Sequence, residues 1–169
     1  MGGWQKAACA ALALCASCSP AEQKQAAKLE PAEADAGIVS EIVGVATISD
    51  GDTIRIGERR IRFDGVRTPR PRAMCGETNV YRAATDALRT VIRSNQVRCA
   101  ISDLPDNGQD VARCRVGETD LNEYMVSAGW ARDVAAESNG AYADEEAAAR
   151  EARRGVWGLE CAADPWPRD

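Results

Sequence analysis

Apolar residues recur along this chain with two periods. Ile38–Ile48 is rich in Val and Ile. Thr53–Ile56 and Arg60–Val66 alternate, with Ile54 and Ile56, then Ile61 and Phe63, on one side. A period of two marks a half-buried strand. Gly57-Glu58 between them predicts a hairpin turn. Gln96–Ser102 (Val97, Cys99, Ile101) and Val111–Val116 (Ala112, Cys114, Val116) alternate in the same way. Pro105 and Asn107-Gly108 between them mark a second hairpin. The period turns helical in Glu77–Ser94, where Val80, Ala84, Ala87, Leu88, Val91 and Ile92 share one face. Asp120 with Glu123 reads as a capping box for a helix that buries Leu121, Met125 and Val126 and stops at Gly129. Ala141–Arg154, ending at Gly155, is a third predicted helix. Three strands, a helix, two strands and two helices predict an α+β, mainly β fold. The architecture expected is a five-stranded OB-type Greek-key barrel with three helices, over residues 38–166.

The pattern breaks down before Ile38. Lys6 precedes an apolar run, Ala7–Ala16, too short for a permanent membrane span. Small residues then lead to Cys18. Residues 1–18 therefore read as an export signal of the bacterial lipoprotein kind, with Cys18 as the acylated residue and the lipid anchor as the membrane contact. An ordinary cleaved signal is the alternative. Residues 19–37 are polar and rich in Ala, Glu and Pro, as a flexible spacer is. The expected location is the periplasm or cell envelope.

Charge narrows the function classes. The chain has 169 residues and a net charge of −5. Coating nucleic acid by bulk charge requires a strongly basic protein and is excluded. There is no His, which removes His-based general acid–base catalysis and His-ligated zinc. Aromatic residues make up 5%, too few for a base-stacking platform. All three Lys precede residue 29 and all 18 Arg follow residue 54. Guanidiniums suit planar, bidentate anion contacts, although an Ala- and Arg-heavy genome yields the same bias. Four of the seven Cys lie in the domain: Cys75, Cys99, Cys114 and Cys161. Centring the second hairpin at 106–107 sets Cys99 opposite Cys114, both inward, within disulfide reach. The alternative is two buried thiols. Cys75–Cys161 then remains by elimination.

Taken alone, Asp50-Gly51-Asp52-Thr53 is a turn with two carboxylates, able to hold a hard cation or merely to link strands. Arg62 alternates with Ile61 and Phe63, so it leaves the apolar face. Taken together, DGDTIRI (50–56), IRFDGVRTP (61–69), VARCRVGETDLNEYMVSAGWA (111–131) and YADEEAAAREARRGVW (142–157), in this order, resemble the staphylococcal nuclease (thermonuclease) family over residues 42–158. The resemblance implies an OB barrel and Ca²⁺-dependent hydrolysis of phosphodiester bonds in DNA or RNA. It also implies two acidic metal ligands, a glutamate beside the attacking water and two arginines on the phosphoryl oxygens.

Transferred residue by residue, that set is incomplete. Asp52 matches one acidic metal ligand, Asp50 its supporting carboxylate, and Arg62 the first phosphate arginine. Thr68 keeps its place and offers a carbonyl. Arg67 replaces the second metal carboxylate, Arg70 the glutamate, and Gln109 the second arginine. Asp64 stands three residues from the lost carboxylate, too far for a displaced ligand. Glu77 serves as a base only if the loop 69–76 folds back. A guanidinium beside a dication costs several kcal/mol, so calcium binding is expected to be weak or lost. One missing transition-state donor alone costs ~10²–10³ in rate.

The expected function is therefore that of a catalytically degenerate domain of this family. Its former cleft would bind an anionic ligand (phosphate or nucleic acid) or an envelope partner through Arg62, Arg67 and Arg70, with Arg72 nearby. The alternatives are an active Ca²⁺-dependent endonuclease, arginines that merely fill a disused cleft, and a purely structural envelope module. The oligomeric state is not readable from the sequence.

Overall fold

A computed structural model describes residues 38–102 and 108–167. The expected signal 1–18 with Cys18, the spacer 19–37 and Asn107 lie outside the described residues. The five barrel strands are β1 (Ile38–Ile48), β2 (Thr53–Ile56), β3 (Arg59–Phe63), β4 (Gln96–Ser102) and β5 (Asp110–Val116). They lie in the order β3-β2-β1-β4-β5, and a parallel pairing of β3 with β5 closes the sheet on itself. Closure removes the free edges that an open sheet would expose. The residues with period two fill the interior: Ile54, Ile61, Phe63, Val97, Cys99 and Ala112 are fully buried. Thr119–Asp120 adds a two-residue strand beside the end of β5. The architecture is the expected α+β barrel.

Helix α1 (Val80–Ile92) begins where Asn79 accepts a hydrogen bond from Arg82 N at 2.9 Å. It packs Ala84, Leu88 and Ile92 on the barrel. Residues 78–79, expected to be helical, instead pair with Met74–Cys75 in a small hairpin. Helix α2 (Leu121–Ser127) starts at Asp120, whose carboxylate accepts from Glu123 N at 3.0 Å. Within the third predicted helix only Ala143–Glu151 (α4) is α-helical. A one-turn helix, α3 (Ala135–Ser138), precedes it, and a 3₁₀ turn covers Gly155–Gly158. Neither was expected, because four residues are too few to display a period.

Two local features position the site. The predicted strand Arg60–Val66 stops at Phe63, because Asp64-Gly65 makes a turn with Gly65 at φ 69°. Val66–Arg67 then pairs with Arg132–Asp133, which brings Arg67 close to α3. Asn122, fully buried on α2, holds the seam. Its amide nitrogen donates to Asp64 O at 2.9 Å and its oxygen accepts from Cys114 N at 3.1 Å.

Disulfides join Cys99 to Cys114 across β4 and β5, and Cys75 to Cys161 between the small hairpin and the C-terminal segment. Such bonds persist in oxidising compartments.

Candidate functional site

The turn 50–53 between β1 and β2 is held by Ser49 N and Asp50 N, which both donate to Thr53 O. A Cβ on Gly51 would come within 2.9 Å of the Thr68 methyl and 3.0 Å of Ala84 Cβ, so only glycine lets the turn sit this close to α1. That approach places Asp52 against Thr68. One Asp52 oxygen accepts from Thr68 N at 2.8 Å and Thr68 Oγ1 at 2.9 Å, and the other accepts from Thr53 Oγ1 at 3.0 Å. Asp52 is buried, with three donors on its carboxylate. Asp50 accepts from Asp52 N at 3.2 Å. Burial, reinforced by the Asp52 charge, pushes the Asp50 carboxyl up to about 6.

Arg62 leaves β3 on the face away from Ile61 and Phe63, as its alternation implies, yet it is buried. Its Nη1 donates to Glu137 Oε2 at 3.1 Å. Arg67 donates to the same carboxylate in a fork, Nη1 to Oε2 at 2.9 Å and Nη2 to Oε1. Glu137 lies on α3, which the Gly65 carbonyl anchors by accepting from Val134 N. Two guanidiniums from the first half of the domain thus converge on one carboxylate from the second. Burial raises the Asp64 carboxyl beside them, against the opposing pull of Arg113 and Arg62.

The remaining expected site residues have other surroundings. Arg70 turns to the C-terminal segment, where its Nη1 donates to Trp166 O at 3.1 Å and its backbone N to Pro165 O at 2.9 Å. Arg72 is exposed. Gln109 directs its Oε1 into a buried position without a hydrogen-bond partner among the described residues. Sequence reasoning missed Glu137. The available signal was its standing as the single charged residue in VAAESNG (134–140).

The oxygens present do not fit a calcium ion. Ca²⁺ takes six to eight oxygen ligands, usually from several carboxylates. Here both Asp52 oxygens are engaged by protein donors. Arg67, next to Thr68, is a guanidinium paired with the Glu137 carboxylate and offers no oxygen from its side chain. Among the described residues no group of three acidic or thiol side chains converges. No chemical step is assigned to a metal.

Comparison with known families matches residues 60–158 to the family described as staphylococcal nuclease homologue. Among curated proteins the chain is similar to the Succinoglycan biosynthesis protein ExoI of Rhizobium meliloti (strain 1021). The two are 27% identical over 130 residues, which is 73% of this chain and 68% of that protein. With the barrel, its closing β3–β5 pair and a family match over more than half its length, the chain belongs to the staphylococcal nuclease homologue family.

Proposed function

We propose that this domain does not hydrolyse phosphodiesters and instead binds an anionic ligand, phosphate or nucleic acid, at Arg62 and Arg67. The observation that carries this reading is the pair of guanidiniums already seated on the Glu137 carboxylate. Guanidinium forks recognise carboxylate and phosphate oxygens by the same two parallel N–H···O contacts. The Arg67 and Glu137 side chains keep 23% and 30% of their surface exposed, so solvent and ligand reach the pair, while Arg62 lies at its back. Binding is an exchange of anions: the ligand takes the guanidinium donors and Glu137 moves out into water. Arg70 is excluded from this site by its contact with Trp166.

Loss of hydrolysis follows from the same geometry. Arg67 occupies the family's second metal position, and Arg70, at the glutamate position, has no basic lone pair for activating water. Gln109 replaces a charged transition-state donor with an amide. These losses are not additive, but each removes a different component of the reaction.

The two disulfides support an exported domain, tethered through Cys18 in this reading. A relative named for succinoglycan biosynthesis supports a role in the cell envelope, with the anion carried by an envelope partner. The competing reading, a Ca²⁺-dependent endonuclease, draws on the retained Asp52 and Arg62.

Plasmid digestion with calcium or with chelator, run beside calorimetric titration of phosphate and nucleotides at low ionic strength, separates the two. The expected result is no calcium-dependent cleavage, together with binding that Arg67→Ala abolishes. Brisk cleavage with calcium that Arg62→Ala removes reinstates the nuclease. Absence of any binding at low ionic strength removes the anion site.

A further inference from the structure

We infer that the outer face of β4 and β5, built from other residues than the Arg62–Arg67 pair, binds a phosphate group, free or as a monoester. The inference does not depend on the reading of that pair. Cys99 and Ile101 on β4, and Ala112 and Cys114 on β5, are buried, so alternation turns Arg98, Ala100, Arg113 and Arg115 outward. The strand register sets Arg98 directly opposite Arg115 and Ala100 opposite Arg113. Directly opposed residues have Cβ atoms about 4.5–5.5 Å apart, and diagonal neighbours about 7–8 Å. Three arginine side chains therefore rise from one small area, and opposed like charges destabilise a sheet. A recess of about 240 Å³ lies among them, lined by all three arginines and by the short side chain of Ala100.

The acidic residues of this recess are already engaged. Glu41 accepts from Arg98 Nη1 at 2.6 Å. Asp120 pairs with Arg115 along the backbone, but its carboxylate accepts from Glu123 N at 3.0 Å as the cap of α2. Arg113 and Arg115 are exposed, and among the described residues neither side chain makes a hydrogen bond or an ion pair. Arg113 acts on the Asp64 carboxyl through its charge, without a hydrogen bond. Two guanidiniums on a disulfide-linked pair of strands thus keep their donors for a ligand. A carboxylate has its two oxygens in one plane and is filled by a single fork, as Asp110 is by Arg59 at 2.7 and 2.8 Å. A phosphate presents its oxygens in a tetrahedron and accepts from guanidiniums that approach from different directions. The recess is smaller than the roughly 300–1,000 Å³ of sites that enclose a drug-sized ligand. It takes the phosphate group and leaves whatever carries it outside. No aromatic side chain lines it to stack a base.

The test is titration of the full-length chain carrying Arg67→Ala, which silences the other proposed site. The probes are inorganic phosphate, glycerol phosphate and acetate. Binding is followed by calorimetry and by the side-chain Nε–H resonances of Arg113 and Arg115, assigned through Arg113→Gln and Arg115→Gln. Phosphate is expected to bind and to move both resonances, while acetate binds at least about tenfold more weakly. Each glutamine variant, at an exposed position, is expected to weaken phosphate about tenfold, as loss of a charged hydrogen bond does. Glycerol phosphate binding as tightly as inorganic phosphate assigns the site to an ester, and weaker binding assigns it to the free ion. Unmoved resonances with phosphate in excess overturn the inference. So does acetate matching phosphate, or both glutamine variants binding phosphate unchanged. None of these failures touches the reading at Arg62 and Arg67, whose own test is Arg67→Ala against the native chain.

Discussion

The turn at Asp50–Thr53 and the stretch from Arg62 to Arg70 both carry charged residues of the candidate site, and they settle their charges differently. The turn is closed. Asp52 is buried and its carboxylate is engaged by two threonine hydroxyls, Thr53 and Thr68, and by the Thr68 backbone N–H. The arginine stretch is open. Arg62 and Arg67 share a carboxylate delivered by a one-turn helix some 70 residues later in the chain, and that ion pair is partly exposed. A buried, satisfied network contributes rigidity and stability and keeps few acceptors for a ligand. A partly exposed ion pair contributes little net stability, because water competes for each partner. It is for that reason easily exchanged. One half of the candidate site is engaged within the fold, and the other half is where binding is proposed.

The largest effect that can break this comparison is on the closed half. Asp52→Ala removes the acceptor for three donors, among them the buried Thr68 N–H, and is expected to cost about 3 kcal/mol or more in urea unfolding. Asp52→Asn keeps one acceptor oxygen and should cost roughly half as much. A loss under about 1 kcal/mol for the alanine variant, the range of a single hydrogen bond, contradicts a closed network.

On the open half the effect is on binding rather than folding. Glu137→Ala removes the tethered competitor and is expected to tighten phosphate about tenfold, the worth of one charge-assisted hydrogen bond. Its cost in stability should exceed that of an exposed pair, about 1 kcal/mol, because the buried Arg62 loses a counter-charge. Calorimetric titration of the variant checks this, and an unchanged phosphate affinity means that Glu137 does not compete for the arginines.

A further effect is a pH slope. Asp50 is lifted by burial from its ordinary 3.8 to about 6, so between those values the folded chain holds a proton that the unfolded chain has released. Stability therefore falls as pH rises through that window, by linkage. Asp50→Asn is expected to flatten the slope, measured as Tm from pH 4 to pH 7. Equal slopes in both proteins would show that Asp50 does not carry the effect.

Much of the molecule is legible without coordinates because strands, caps and hairpins are written in near neighbours. Alternation of Ile54 and Ile56 with polar residues names the inner face of β2, and Asp120 with Glu123 names the start of α2. The second hairpin sets Cys99 across from Cys114 by counting alone, and the structure pairs the two directly. What happens to the replaced residues is not legible. Arg70 reads as a third anion-binding arginine, and only the structure shows that it also donates to the Trp166 carbonyl of the C-terminal segment. Asn122 reads as one polar position in a short helix and is the buried link between α2, β5 and the turn after β3.

The chain's own residue order determined the barrel strands and the helix starts, since both depend on residue type and short spacing. Tertiary structure alone decided that Arg62 and Arg67 share Glu137 and that Trp157 meets Trp166 and Arg150. Charges and rings attract whatever the folded backbone brings within a few ångströms, and a meeting of residues far apart in the chain leaves no periodic trace along it.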